Sequence, residues 1–278
     1  MDYYIQKGRQ QLYHYKYSEA IKTFNMVIEY RPYHAEAYFL RGTAKYNLQD
    51  YYGAERDYSQ AIESKANAVN AYYYRGMSRI QLYNFQGAID DFNTTLKFVT
   101  GQPELYVQRG FCKLRLENYQ EAIEDFNKAL ERNKKIKRAY YYRAISELNL
   151  EDTTATLQDL SRTIHIDSTF TNAYITRGRI YHQTEKYAKA LEDFNQALHY
   201  DSNNAQALIN RSLTYYQLNQ YPKALNDLDR VIKIEPSNAL AYYNRALLNT
   251  EIGAYNEAIE DYNQVLQYNP QNILTYFS

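Results

Sequence analysis

The chain has 278 residues with 32 Lys and Arg against 32 Asp and Glu, so it lacks the basic excess expected of a general nucleic-acid binder. Its single cysteine, Cys112, excludes an internal disulfide and a cysteine-based zinc cluster. No run approaches the roughly 20 apolar residues of a membrane span, and residues 1–20 are too polar for a signal peptide.

Along the chain the dominant signal is a period. Arg41, Arg75, Arg109, Arg143, Arg177, Arg211 and Arg245 stand 34 residues apart, with Lys7 on the same register. The chain therefore divides into units 1–34, 35–68, 69–102, 103–136, 137–170, 171–204, 205–238 and 239–272, with Ile273 to Ser278 as the start of an unfinished ninth. A fixed period of this length with helical patterning inside it marks one helix hairpin per unit. Apolar residues at positions 4, 5, 8 and 12 of the unit, then at 17, 20, 21, 24, 27 and 28, predict two amphipathic helices.

Position 4 holds Tyr4, Tyr38, Tyr72, Tyr106, Tyr140, Tyr174, Leu208 and Tyr242. Position 8 is small throughout, as Gly8, Gly42, Gly76, Gly110, Ala144, Gly178, Ser212 and Ala246. Position 20 is Ala except for Thr156, and position 24 runs Phe24, Tyr58, Phe92, Phe126, Leu160, Phe194, Leu228 and Tyr262. Asp50, Asn84, Asn118 and Asp152 fall in the intervening turn, placed to cap the second helix, and Asn118 with Glu121 spells a capping box. Pro103 and Pro222 sit where the first turn of a helix tolerates a missing N–H.

These columns resemble the tetratricopeptide repeat family over residues 1–272. The departures are Tyr for Trp at position 4, Arg for Leu at position 7, and a closing Pro kept only as Pro32, Pro236 and Pro270. The resemblance implies an all-α, right-handed α-solenoid, read here as a single array, with a concave side lined by the first helices. It also implies that the best-known ligand mode of the family, a clamp on the C-terminal carboxylates of chaperones, is absent. That clamp needs Lys at position 5 and Asn at position 9, and no unit has either.

One charged column is unusual. Position 23 is Asp57, Asp91, Asp125, Asp159, Asp193, Asp227 and Asp261 in the same seven units that carry Arg at position 7, while the first unit has Lys7 and Thr23. Pairing with the preceding unit would leave Arg41 facing Thr23. The ladder is therefore expected to pair within units and to be structural rather than an anion-binding track.

The concave positions are expected to carry the partner surface. Phe39, Tyr73, Tyr74, Met77, Phe111, Tyr141 and Tyr142, with Asn70, Gln81, Gln108, Asn149, Asn210 and Asn244, give an aromatic and amide groove poor in charge. Tyr offers large contact area and a hydrogen-bonding tip at little entropic cost. By angular spacing, Tyr73, Tyr74, Tyr141 and Tyr142 should be accessible and Tyr72 and Tyr140 buried. Arg132, Lys134, Lys135, Lys137 and Arg138 crowd one turn and read as a solvated run.

The chain shows no catalytic motif, no phosphate loop and no metal-ligand spacing among its five histidines. The expectation is a non-catalytic scaffold that binds another protein or peptide, without cofactor, metal, nucleic acid or membrane, with self-association through the uncapped last repeat as a further expectation. Two other readings stay open: a helical-repeat nucleic-acid binder whose aromatics stack on bases, and the docking or regulatory part of a larger enzyme. Both ends look cut to the repeat, so the array is expected to be a fragment whose compartment is unassigned, with the cytoplasm as default.

Overall fold

The computed structural model of the chain describes residues 2–65 and 68–269. Sixteen α-helices and no strand occur among them. They group into two compact units, one ending at Asp152 and one beginning at Thr153, so the division falls between the two helices of the fifth repeat. The first unit holds α1 (Asp2–Tyr13), α2 (Tyr17–Tyr30), α3 (Ala35–Asn47), α4 (Tyr51–Ser64), α5 (Val69–Gln81), α6 (Phe85–Phe98), α7 (Pro103–Arg115), α8 (Tyr119–Arg132) and α9 (Lys137–Asn149). The second holds α10 (Thr153–Ile166), α11 (Thr171–Gln183), α12 (Tyr187–Tyr200), α13 (Ala205–Gln217), α14 (Tyr221–Ile234), α15 (Ala239–Glu251) and α16 (Tyr255–Tyr268). Pro270 and the start of the ninth repeat, Ile273 to Ser278, lie outside the described residues.

The turns share one backbone conformation. Position 15 is left-handed in all eight repeats: Tyr15, Gln49, Tyr83, Glu117, Glu151, Glu185 and Asn219 have φ between 56° and 64°, and Gly253 has φ 80°. Asp50 and Asn84 accept the Gly53 and Gly87 N–H at 2.9 and 3.0 Å, as expected of caps. The box at Asn118 does not form. Its Glu121 turns instead to Lys113, at 3.3 Å. Three caps fall on first helices, where His34, Asn204 and Asn238 accept from the N–H three residues on.

Within each hairpin the alanines of position 20 and the large residues of position 24 are buried, Tyr262 excepted, which is half-buried. On the first helix position 3 is buried in repeats two to eight, as Ala37, Ala71, Leu105, Ala139, Ala173, Ala207 and Ala241. Position 4 is turned further out than expected: Tyr72 and Tyr140 are half-buried, and only Tyr174 and Leu208 of that column are buried. The guanidinium of the ladder arginine lies 5.3 Å over the ring of Tyr38 and of Tyr72, with equivalent contacts at Tyr106, Tyr140, the buried Tyr174 and Tyr242. The small residue at position 8 answers the ring of position 24: a Cβ on Gly110 would come within 2.8 Å of Phe126 Cε1, so its constraint is Phe126 rather than Ala122.

The charged column pairs within repeats. Arg41, Arg75, Arg109, Arg177, Arg211 and Arg245 each grip the aspartate of their own repeat with two N–H donors, the Nη2–Oδ1 distances running from 2.5 to 2.7 Å. Arg143 and Asp159 belong to different units. Each arginine also has a third contact that sequence reasoning did not foresee. Nη1 reaches back to position 25 of the preceding repeat, as Arg41 to Asn25 at 2.7 Å, Arg109 to Asn93 at 2.7 Å and Arg211 to Asn195 at 2.6 Å. Ser59, Asn127, Ser161 and Asp229 receive the others. In the first unit the aspartates have a second cation from position 11, with Lys45, Arg79 and Lys113 at 2.9, 2.9 and 3.0 Å. In the first repeat Thr23 Oγ1 donates to Gln11 Oε1 at 2.8 Å, so a neutral pair stands where the ladder is missing.

Candidate functional site

First helices of successive repeats touch one another within each unit, as α1 with α3, α3 with α5 and α7 with α9 in the first and α11 with α13 and α13 with α15 in the second. No approach of that extent joins successive second helices. The first helices therefore line the inner face of each stack.

In the first unit that face is aromatic, but much of the aromatic surface is spent between repeats. Tyr74 is 37% exposed and stacks on Tyr58 with centroids 6.0 Å apart, while its edge meets Phe39 at 5.8 Å. Tyr142 lies on Phe111 at 5.0 Å and Phe126 at 6.1 Å, both from the preceding repeat. Tyr73 leans on Phe92 of its own repeat at 6.1 Å, and Tyr141 touches Tyr142 at 5.8 Å. All except Tyr74 are half-buried, so these rings cement the inner face as well as colour it. Burial pushes the phenols of Tyr73 and Tyr142 upward, in Tyr142 against the pull of Arg138.

Five of the expected residues converge. Met77, Gln81, Gln108, Phe111 and Tyr142 line one cavity of about 320 Å³ across the third, fourth and fifth repeats. Gln108 is steadied by Glu104, to which its Nε2 donates at 2.7 Å. Asn70 and Phe39 line a separate cavity of about 310 Å³ between the second and third repeats. Asn149 and Asn210 are turned back on their own helices, donating to the carbonyls of Ile145 and Gln206 at 2.8 Å each. Asn244 is half-buried, with a buried Nδ2 that has no hydrogen-bond partner.

Sequence reasoning missed two cations in the first cavity. Arg115, from the last turn of α7, and Arg138, from the first turn of α9, both line it and both are exposed. Neither has a carboxylate within 4.0 Å among the described residues, in contrast to the ladder arginines. Arg115 rests on Phe85, its guanidinium 5.1 Å over the ring. Tyr83, at the left-handed turn position, closes the same cavity beside Phe85. Arg138 was visible only as part of a basic run, and nothing in the sequence joined it to Arg115. The groove is thus charged at this point, contrary to the expectation of a surface poor in charge.

The description Tetratricopeptide repeat fits residues 39–103, 103–135 and 239–272, and the description TPR repeat fits 178–219 and 213–253. The chain belongs to the tetratricopeptide repeat family. No curated protein sequence matches it. Among solved structures it is similar to a tetratricopeptide repeat protein from Parabacteroides merdae, at 20% identity over 93% of this chain and 98% of that one, with a TM-score of 0.67. The C-terminal part of a TPR repeat-containing protein from Cytophaga hutchinsonii is 17% identical over 85% of this chain and 97% of that one, with a TM-score of 0.68. YrrB, described as a TPR protein with an unusual peptide-binding site, is 23% identical over 68% of this chain and 97% of that one, with a TM-score of 0.54. The likeness is one of fold: an all-α solenoid of helix hairpins.

Proposed function

We propose that the chain is a non-catalytic scaffold whose first unit captures an extended or helical segment of a partner protein on its inner face, centred on the cavity between the third and fifth repeats. The observation that carries this reading is the convergence of Met77, Phe111 and Tyr142 with two amides, Gln81 and Gln108, and two cations without acid partners, Arg115 and Arg138. An apolar floor supplies affinity, and fixed polar groups around it supply orientation. The segment that fits has an apolar or aromatic side chain for the cavity and an acidic residue beside it for the arginines. Binding of peptides by a protein of the same fold, YrrB, supports the general mode.

The test is selection of a displayed peptide library on the full chain, followed by titration of an enriched peptide against the double variant Arg115→Glu, Arg138→Glu. Both side chains are exposed, so thermal stability should hold. The enriched peptides should combine an aromatic or aliphatic anchor with Asp or Glu, and the double variant should bind at least tenfold more weakly. Failure to enrich any sequence, or equal binding by the variant, would remove the assignment.

A further inference from the structure

The two cations without acid partners do not stand side by side. Short turns reverse the chain before and after α8, so α7 and α9 point the same way. Their relative level is set by Tyr142, in the second turn of α9, whose ring lies on Phe111 of α7 at 5.0 Å. Arg138 comes one helical turn before Tyr142, and Arg115 one turn after Phe111. At about 1.5 Å of rise per residue the two arginines leave the backbone about 6 Å to either side of the ring pair, or about 12 Å apart along the helices.

Their surroundings keep them apart. Arg115 is stacked over Phe85, the first residue of α6, beside Tyr83 in the hairpin turn. Arg138 belongs to the opposite end of the hairpins, where the fourth repeat passes to the fifth. The pair therefore brackets the cavity, with Phe111 and Tyr142 between, and a carboxylate held by Arg138 does not reach Arg115 unless Arg115 leaves Phe85.

The wall between them carries amides. Gln108 donates its N–H to Glu104 and keeps Oε1 to accept, and Gln81 lines the same cavity. A helix satisfies most of its backbone groups internally, whereas an extended segment brings N–H and C=O groups that need partners from its host. In an extended segment the residues two before and two after a given one point the same way as it does, and together they span about 13 Å. That span matches the separation of the arginines.

We propose that the segment bound in the first unit is extended and carries an acid two residues to each side of its apolar anchor, one acid for Arg115 and the other for Arg138. The anchor rests on Met77, Phe111 and Tyr142, and Gln81 and Gln108 meet the backbone. This rests on the reading of the first unit as a peptide groove and states what the groove selects.

The test is a displayed library of short peptides, with Phe fixed at the centre and randomised residues on both sides, selected on the full chain, on Arg115→Gln and on Arg138→Gln. Asp and Glu should be enriched about fivefold at the second residue on each side of Phe, the upper end for an exposed ion pair. Arg115→Gln should lose the enrichment on one side only, and Arg138→Gln on the other side only. Both substitutions are at exposed side chains, so melting temperatures should match that of the native chain. Acids enriched on a single side, acids one helical turn to each side of Phe, or enrichment that both variants retain or lose from the same side would overturn the bracket and leave the peptide groove standing. A library from which no sequence is enriched would remove both.

Discussion

The left-handed residue at position 15 costs each hairpin a little. A side chain bearing a Cβ pays on the order of 1–2 kcal/mol for that conformation, and only the eighth repeat, with Gly253, avoids it. Glu117 is exposed and its φ is 62°. Glu117→Gly should therefore raise stability by about 0.5–1 kcal/mol, after the extra freedom of the unfolded glycine is deducted; denaturant titration reads the gain, and a loss would mean the turn is held by the Glu117 side chain. Cys112 shows the opposite effect of environment. It is fully buried, and burial pushes its thiol up to about 12. Between about pH 8.5, where an unfolded thiol ionises, and that value, the folded chain keeps a proton that the unfolded chain releases. Stability should fall as pH rises through this window, and a thiol reagent at pH 8 should modify native Cys112 only at the rate of unfolding. Rapid modification of the native chain would contradict its burial.

At the scale of helices, two contacts decide how a hairpin closes. Gly110 faces the ring of Phe126, so Gly110→Ala should cost about 1–3 kcal/mol by overpacking; an unchanged denaturation midpoint would mean that α7 can lift from α8 freely. The ion pair is the second. Asp125 is fully buried and held by Arg109 and Lys113, so Asp125→Ala should cost about 3–5 kcal/mol, and adding Arg109→Leu should return part of it by removing a stranded cation. A double variant no more stable than the single would count against that account. Much of this level was legible in the chain, because the 34-residue register set both helices and matched Arg41, Arg75, Arg109, Arg177, Arg211 and Arg245 each to the aspartate it holds. The third arginine contact was not, since its acceptor is Asn, Ser or Asp in different repeats and makes no column. Periodicity also could not say whether position 3 or 4 lies deepest. Adjacent helix residues differ by about 100°, so both positions lie near the apolar face and the hydrophobic pattern alone does not separate them. Arg115 and Arg138 come to line one cavity through the packing of α9 on α7, a tertiary relation.

For the molecule as a whole, stability should vary along the array, as it does when each repeat leans only on its neighbours. The fifth repeat should be the weak point. Thr153 stands where other repeats have mostly aromatic residues, and the buried Thr156 and Leu160 replace the usual alanine and ring. Amides of α10 should exchange with solvent faster than those of α8 or α12; equal protection would show that smaller side chains there cost nothing.

The backward reach of the ladder arginines bears on how such a chain changes length. Each repeat offers its successor an acceptor at position 25 and takes one from its predecessor, and the acceptor serves whether it is Asn93, Ser59 or Asp229. Excision of residues 69–102 would present Arg109 with Ser59, a partner Arg75 already uses at 3.1 Å, whereas loss of a single residue between Arg75 and Asp91 would put that arginine out of step with its own aspartate. Whole repeats should therefore be interchangeable, the chain being lengthened or shortened by 34 residues at a time, while a fraction of a repeat should disrupt the pairs it interrupts.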